Sequence, residues 1–139
     1  YWKTMYTASC LCNGIQLKIN AEISQIFICH CQQCQKAQGT AFVAITPIQM
    51  KDLIITQGQN LLGEYYATES KKRVFCRRCA SPLYSARSDL PDVIRLRVGI
   101  INEVLNIEIT SHAFTSEKAD WFEILDDHPQ FTQHVQPSQ

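Results

Sequence analysis

Seven cysteines fall into three short clusters along a chain of 139 residues. They are arranged as C-x-C at Cys10 and Cys12, as C-x-C-x-x-C at Cys29, Cys31 and Cys34, and as C-x-x-C at Cys76 and Cys79. Soft divalent cations prefer thiolate ligands held close together, and two short loops that each supply a pair of thiolates can close a tetrahedral zinc site. The spacing therefore predicts zinc binding.

A disulfide scaffold is the alternative interpretation of a chain with so many cysteines. The odd number of cysteines argues against it, and a disulfide between Cys10 and Cys12 would require strained geometry. A chain of this length can also bury enough surface to fold without disulfide bonds. Metal binding in a reducing cytosol explains the clustering better.

The composition excludes several classes of protein. A chain of 139 residues fits one domain. Thirteen Lys plus Arg residues balance thirteen Asp plus Glu residues, so no net field attracts phosphate backbones or acidic lipid headgroups, and nucleic acid is disfavoured as a partner. No apolar run approaches the roughly 20 residues that cross a bilayer, and the start of the chain lacks a signal-peptide profile. We expect a soluble cytoplasmic protein without a membrane partner.

Alternation of apolar and polar residues predicts a mainly β fold with little helix. The alternating or strand-like segments are 15–19, 41–48, 53–56, 61–68, 73–75, 94–100 and 107–109. One short polar segment, Gln32–Gln38, is the best helical candidate, because Gly39 after it suits a left-handed helix cap.

The outer two clusters predict a closed structural zinc site. Cys10 and Cys12 can share one face of an extended strand, and the two-residue spacer between Cys76 and Cys79 is the loop that wraps two thiolates around one ion. The apparent binding energy of a structural zinc, about 10 to 16 kcal/mol, is comparable with a domain's total stability of about 5 to 15 kcal/mol. This zinc would therefore hold the fold together.

The middle cluster predicts a second zinc with an open coordination position. Cys29 and Cys31 share a face by alternation, Cys34 arrives from the following turn, and His30 should point away. We favour water or substrate as the fourth ligand. Two alternatives stay open: His30 or His112 closes the site as a fourth ligand, or only one zinc is bound and these three cysteines are free thiols.

Three thiolates leave the zinc unit with a net negative charge, which makes the ion a poorer Lewis acid than a zinc bound by three histidines. Hydrolysis through zinc-bound hydroxide is therefore not the first choice. A thiolate-rich zinc suits capture of an incoming thiol, whose anion it stabilises at neutral pH. The middle cluster thus indicates a sulfur-bearing substrate.

Five segments carry a family resemblance. They read S-C-L-C at 9–12, C-H-C-Q-Q-C-Q-K-A-Q-G at 29–39, F-C-R-R-C-A-S-P-L-Y at 75–84, H-A-F at 112–114 and K-A-D-W at 118–121. In the order and spacing of all seven cysteines the chain resembles the glutathione-dependent formaldehyde-activating enzymes and their centromere protein V-like relatives. The resemblance runs from about residue 5 to about residue 125.

The resemblance implies a β-tent of antiparallel sheets, stabilised by zinc, over residues 5–127. The polar composition of residues 128–139, with two Pro and four Gln, predicts a C-terminal tail. The resemblance also implies two zinc ions per chain, a structural one and an open, labile one. The structural ligands would be Cys10, Cys12, Cys76 and Cys79, and the ligands of the open, catalytic zinc would be Cys29, Cys31 and Cys34. The implied activity is that of a carbon-sulfur lyase that joins the thiol glutathione and the small aldehyde formaldehyde into S-hydroxymethylglutathione.

The sequence departs from the family pattern at three positions. Asn13 delays the glycine that usually follows the first C-x-C, and Ala80 replaces the glycine after the C-x-x-C. Gln35 stands where arginine is common, although a guanidinium is the natural partner for a carboxylate of glutathione.

Other residues have two interpretations each. His112 is either a hydrogen-bonded structural histidine or part of the site. Trp121 and Phe122 are more often core or lid residues than a stacking platform for substrate. The basic run 71–73 with Arg77 and Arg78 is more often a solvated hairpin face than a binding patch.

The sequence offers no identifiable general base. A second class of function therefore stays open beside the lyase, namely a non-catalytic zinc-binding module for protein or nucleic-acid assembly.

Overall fold

The computed structural model of the protein describes residues 5–134. Within that range the chain forms ten β-strands and one α-helix. The strands are β1 (Tyr6–Ser9), β2 (Gln16–Ile19), β3 (Phe27–Cys29), β4 (Val43–Gln49), β5 (Leu53–Gln57), β6 (Leu62–Tyr66), β7 (Lys71–Cys76), β8 (Pro82–Arg87), β9 (Leu90–Arg97) and β10 (Ser111–Ala113), and the helix is α1 (Gln32–Gln38). Single 3-10 turns lie at Met50–Asp52, Gln59–Leu61, Val98–Ile100 and Thr115–Glu117. The mainly β prediction is confirmed.

The chain divides into two compact units, the first of which combines the N-terminal segment up to Ile23 with Thr46–Asn106. It contains an antiparallel sheet in the order β1-β2-β5 and the antiparallel meander β6 to β9, in which each strand pairs with the next. Alternation places the apolar side chains of these strands inside, as expected for half-buried strands. The fully buried aliphatic residues of the strands include Leu17, Ile19, Leu83, Ile94 and Leu96.

The second unit combines Ser24–Ile45 with the segment that begins at Ile107. Its central strand is β3, which pairs antiparallel with residues 43–45 of β4 on one side and parallel with β10 on the other. The second unit therefore contains a parallel pair as well as an antiparallel one. Parallel neighbours need a long connection, and 81 residues lie between Cys29, the last residue of β3, and Ser111, the first of β10.

The helix prediction is confirmed at both ends. Cys31 is the N-cap, and Gly39 takes the left-handed conformation (φ +68°) while its N–H bonds to the Gln35 carbonyl. Two strand predictions are wrong. Residues 98–100 form a 3-10 turn, closed by the Ile101 N–H on the Val98 carbonyl, and residues 107–109 belong to no strand. The alternation at 107–109 reflects the alternating burial of these side chains and not the pairing of a strand. The next strand begins at Ser111.

Part of the predicted polar tail lies beside β10. His112 donates its N–H to the Pro129 carbonyl and accepts from the Phe131 N–H, and the Phe114 N–H donates to the Gln133 carbonyl. Residues 135–139 of that tail lie outside the described residues, and its separation from a domain over 5–127 stays a prediction. Among residues 5–134, no helix has the length and apolar character that a membrane span requires.

Candidate metal centres

Four cysteines of the first unit form one group. Cys10 and Cys12 lie in the turn after β1, Cys76 ends β7, and Cys79 lies in the turn before β8. Their four Sγ atoms lie within 4.8 Å of one another, with 3.5 Å between Cys10 and Cys12 and 3.8 Å between Cys12 and Cys76. Zinc-sulfur bonds of about 2.3 Å in a tetrahedron separate the sulfurs by about 3.8 Å. The group therefore fits a tetrahedral zinc ion.

Left-handed backbone conformations shape the two turns of this group. Asn13 (φ 63°) follows Cys12, and Ala80 (φ 65°) follows Cys79. Asparagine tolerates this region, whereas alanine pays a steric cost there. The Asn13 N–H bonds to the Cys10 carbonyl and the Ala80 N–H to the Cys76 carbonyl, so each turn folds back on its own first cysteine.

N–H donors surround the sulfurs of the four-cysteine group. The Ile15 N–H lies 3.3 Å from Cys10 Sγ, and the Arg78 N–H lies 3.4 Å from Cys76 Sγ. The guanidinium of Arg78 donates from Nε to Cys12 Sγ over 3.2 Å. A hydrogen bond from the Gly14 N–H, and then the one from Arg78, lower the pKa of Cys12. Donors of this kind stabilise thiolates, which are the forms that bind a metal.

The other three cysteines form a second group in the second unit. Cys29 ends β3, Cys31 caps α1, and Cys34 lies within α1. Their Sγ atoms lie within 4.8 Å of one another, and no histidine or carboxylate of the described residues belongs to the group. Cys34 is buried, whereas Cys29 and Cys31 are half-buried. The structure thus brings the seven cysteines of the three sequence clusters together as one group of four and one group of three.

The thiols of the three-cysteine group crowd one another. Hydrogen bonds to the thiols of Cys31 and Cys34, and then burial, raise the pKa of Cys29 far above the ordinary range of a thiol. Coordination of a cation deprotonates such thiols. The donor set therefore suits a soft divalent metal, and all seven cysteines are free of disulfides.

Two polar side chains hold α1 to the loop before it and to the 3-10 turn at Thr115–Glu117. Gln35 Nε2 donates to the His30 carbonyl over 2.8 Å and to the Glu117 carbonyl over 2.9 Å. The Glu117 carboxylate accepts from the Gln32 N–H at the start of the helix, over 3.0 Å. Gln35 thus supports the three-cysteine loop through its amide.

A buried pair of histidines lies beside this loop. His30, which separates Cys29 from Cys31, is fully buried, and His112 is 3% exposed. His30 Nε2 lies 2.8 Å from His112 Nδ1, and His112 Nε2 lies 3.0 and 3.1 Å from the two oxygens of Asp126. Burial, followed by the charges of His112 and Lys118, lowers the pKa of His30 to about 4. His30 is therefore neutral at neutral pH.

Aromatic rings enclose His30. The ring centroids of Phe42 and Phe122 lie 5.7 and 6.1 Å from that of His30. Trp121, by contrast, is 71% exposed and lines an open cavity of about 530 Å³ together with Phe122 and Lys118. Phe122 is therefore a packing residue and Trp121 a surface residue.

Sequence reasoning missed two contributors to these centres. Arg78 belongs to the basic run that the sequence assigns to a solvated hairpin face, and its position inside the C-x-x-C loop is the signal that places its guanidinium beside a sulfur. Asp126 carries no signal of its own in the sequence. It lies 14 residues from His112, and no local pattern connects the two.

Comparison with known proteins gives one family. A family model described as "Glutathione-dependent formaldehyde-activating enzyme" matches residues 5–117. An uncharacterized lyase of Schizosaccharomyces pombe is 24% identical over 127 residues, which cover 91% of this chain and 90% of that protein. A Halomonas elongata protein, provisionally named a glutathione-dependent formaldehyde-activating enzyme, is 27% identical over 123 residues, with 84% and 78% coverage.

The fold also matches a solved structure. A crystal structure of a Rhodobacter sphaeroides protein superposes with a TM-score of 0.60 at 21% sequence identity, covering 72% of this chain and 91% of that one. At this identity the likeness concerns the fold alone.

Proposed function

The chain belongs to the glutathione-dependent formaldehyde-activating enzyme family, and we propose that it is a zinc-dependent carbon-sulfur lyase acting on adducts of a thiol and a small aldehyde. The proposed thiol is glutathione and the proposed aldehyde formaldehyde. The Halomonas elongata relative carries both in its name, and the Schizosaccharomyces pombe relative is named a lyase.

One observation carries this proposal: the three-cysteine group has no fourth protein ligand among residues 5–134. A tetrahedral ion bound there keeps one position for an exogenous group, as catalytic zinc sites do. The four-cysteine group supplies a complete tetrahedron and fits a structural ion. Two sites with different ligand numbers on one chain suit one fold-stabilising ion and one reactive ion.

In the proposed reaction the sulfur of the thiol forms a bond to the carbonyl carbon of the aldehyde. The thiol proton ends on the former carbonyl oxygen, so that thiol plus aldehyde gives a hydroxyalkyl thioether without a redox partner. Zinc in the three-cysteine site would supply stabilisation of the thiolate at neutral pH.

The protein residues would fix the positions of the zinc ligands and shield the neighbouring His30 from water. Cys29, Cys31 and Cys34 would hold the ion, while Gln35 and Glu117 hold the start of α1 to His30 and to the turn at Thr115–Glu117. The rings of Phe42 and Phe122 pack 5.5 Å apart and shield His30, in the same loop. Well-oriented reactants can gain about 7 to 11 kcal/mol from placement alone.

The test compares purified protein containing two zinc ions with Cys34→Ser and with Gln33→Ala, a matched control at the exposed neighbouring position of α1. Formation and exchange of the adduct from glutathione and formaldehyde are followed by NMR. We expect the wild type and Gln33→Ala to exceed the buffer rate, and Cys34→Ser to fall to it while retaining the other zinc. A wild-type rate equal to buffer with both ions bound would reject the lyase.

Cobalt substitution separates the lyase from a non-catalytic zinc module. An exchangeable fourth ligand predicts a thiol-dependent change in the visible spectrum of the cobalt protein. The Cys34→Ser variant should lose that change, because it lacks one ligand of the site. A spectrum that is indifferent to thiol would favour the non-catalytic module.

A further inference from the structure

Asn13 and Gly14, directly after the first pair of cysteines, form the only Asn-Gly step of the sequence. An asparagine before glycine is open to attack on its side-chain amide by the next backbone nitrogen, because glycine has no Cβ to hinder the approach. The other asparagines all precede residues with a side chain, and they are Asn20, Asn60, Asn102 and Asn106. The most labile amide of the chain therefore lies next to Cys12, a proposed zinc ligand.

Loss of the amide at such a step proceeds through a ring. The Gly14 nitrogen attacks Cγ of Asn13, a new C–N bond forms, and the bond from Cγ to the side-chain nitrogen breaks. The side-chain nitrogen leaves as ammonia with the proton of the Gly14 amide, and a five-membered succinimide remains. Water then opens the succinimide at either carbonyl and gives aspartate or isoaspartate. Water is the only co-reactant, and nothing is oxidised or reduced.

The backbone of Asn13 is in a conformation that keeps this ring open. Asn13 has φ 63°, which lies in the left-handed region, where ψ is about +30 to +60°. Ring closure needs the Gly14 nitrogen and Cβ of Asn13 on the same side of the Cα–C bond. In the left-handed region these two atoms lie roughly opposite one another, so the nitrogen cannot reach Cγ.

Hydrogen bonds hold Asn13 in this conformation from both sides. Its N–H donates to the Cys10 carbonyl over 3.0 Å, and its carbonyl accepts from Gln16 Nε2 over 2.8 Å. Gln57 Nε2 lies 3.5 Å from the same carbonyl and 3.3 Å from that of Gly14. The peptide group between Asn13 and Gly14, which must rotate before the ring can close, is therefore fixed.

Gly14 connects this turn to the sulfurs of the four-cysteine group. A Cβ added at Gly14 would lie 2.5 Å from Arg78 Nη2 and 2.6 Å from Leu61 Cδ1, so the residue is closely packed. The same guanidinium donates from Arg78 Nε to Cys12 Sγ over 3.2 Å. The labile amide and the sulfurs thus share one packed cluster, and release of a metal from the sulfurs would loosen the turn with them.

We infer that Asn13–Gly14 is a deamidation site that the assembled four-cysteine group protects, and that isoaspartate formed there after loss of the metal prevents the group from closing again. Isoaspartate carries the main chain through its Cβ and Cγ, which adds a carbon atom to the segment between Cys12 and Ile15. The Ile15 N–H bonds to Cys10 Sγ and the Asn13 N–H to the Cys10 carbonyl. A lengthened segment cannot keep both bonds, and the new carboxylate places negative charge beside the thiolates.

The first test compares zinc-loaded protein with protein kept in a chelator and a reductant at neutral pH. Peptide mapping by mass spectrometry follows conversion of Asn13, and the other four asparagines are controls in the same digest. We expect Asn13 to convert roughly tenfold to a hundredfold faster in the chelator, because the two hydrogen bonds of its N–H and carbonyl no longer have to break first. Equal rates at Asn13 in the two samples would overturn the inference.

A second test separates protection by the turn from protection by the fold as a whole. Gln16→Ala removes the bond to the Asn13 carbonyl, and we expect it to speed conversion of Asn13 in zinc-loaded protein about twofold to tenfold. The matched control is Gln59→Ala, which removes a 2.8 Å side-chain bond to the Ile55 carbonyl and should leave the rate unchanged. An unchanged rate in Gln16→Ala would refute the role of the turn.

A third test examines whether the step is one-way. Asn13→Gly lacks the amide and takes the left-handed conformation freely. Both proteins are aged in chelator and reductant and returned to zinc, and their zinc content is measured. We expect Asn13→Gly to regain its original content and the wild type to fall short by the fraction that carries isoaspartate. Full recovery in a wild type that carries isoaspartate, or an equal shortfall in Asn13→Gly, would refute the one-way step.

Discussion

Replacement of Gly58 by alanine tests how the four-cysteine group is held. Gly58 has φ +87°, and an added Cβ would lie 2.3 Å from the carbonyl oxygen of Gly14 and 2.9 Å from Cα of Ile15. Both contacts are with backbone, which cannot swing away as a flexible side chain does. Ile15 donates its N–H to Cys10 Sγ, so a shift of this backbone reaches the first pair of thiols directly.

The loss of folding stability expected for Gly58→Ala is the sum of two contributions. A left-handed conformation costs an L-residue about 1 to 2 kcal/mol, and overpacking adds about 1 to 3 kcal/mol, so Gly58→Ala should destabilise the fold by roughly 2 to 5 kcal/mol. Gly39→Ala is the matched control, because Gly39 also has positive φ (+68°) but no atom within 4 Å of an added Cβ. Gly39→Ala should therefore lose only the stability that the left-handed conformation costs an alanine.

The assay is urea unfolding of the zinc-loaded proteins, together with the rate at which a chelator removes zinc. We expect Gly58→Ala to lose about 1 to 3 kcal/mol more than Gly39→Ala, and to release the zinc of the four-cysteine group faster. Equal destabilisation of the two variants would refute the reasoning, since it would mean that the contact with Gly14 contributes nothing.

Three further predictions concern the same centre. Cys76→Ala should prevent folding, because a structural zinc contributes about 10 to 16 kcal/mol of apparent binding energy against a total stability of about 5 to 15 kcal/mol; a soluble, compact variant with unchanged melting would contradict this. Arg78→Ala should speed zinc loss to a chelator through loss of its 3.2 Å bond to Cys12 Sγ, with an unchanged loss rate as the contrary result. Ala80→Gly should stabilise the protein by about 0.5 to 1 kcal/mol, because it relieves a left-handed alanine but increases the entropy of the unfolded chain, and a lower urea midpoint would count against it.

Local patterns in the sequence predicted the local features of the structure. The helix Gln32–Gln38 followed from a polar segment ending at Gly39, and the three-cysteine group followed from the short spacers within its cluster. These features depend on residues that are neighbours in the chain, so a single sequence contains their whole signal. The same holds for most strands, which alternation located to within a few residues.

Features that depend on distant residues were not predictable in the same way. The parallel pairing of β10 with β3 and the contact of His30 with His112 join residues more than 80 positions apart. Alternation at 107–109 even pointed to the wrong segment, because half-burial of Ile107 and Ile109 produces the pattern without a paired neighbour. Only the assembled β10 brings His112 to His30 and to the Asp126 carboxylate.

Gln35 bears on how the proposed enzyme would select glutathione. Its Nε2 has two hydrogens, and they are directed to the carbonyls of His30 and Glu117 at 2.8 and 2.9 Å. Only its amide oxygen is left, and an oxygen acceptor does not bind a carboxylate. A guanidinium at this position would offer a carboxylate a charged bond worth about 1.5 to 3 kcal/mol.

We therefore expect residue 35 to contribute no preference for glutathione over an uncharged thiol such as 2-mercaptoethanol. The measurement is the ratio of kcat/KM for the two thiols in the wild type and in Gln35→Ala. The ratio should stay within about tenfold, which corresponds to about 1.4 kcal/mol, even if loss of the two amide bonds lowers both rates by loosening α1. A selective fall of the glutathione rate alone would show that Gln35 contacts the substrate, and the assignment of its amide to the three-cysteine loop would then be wrong.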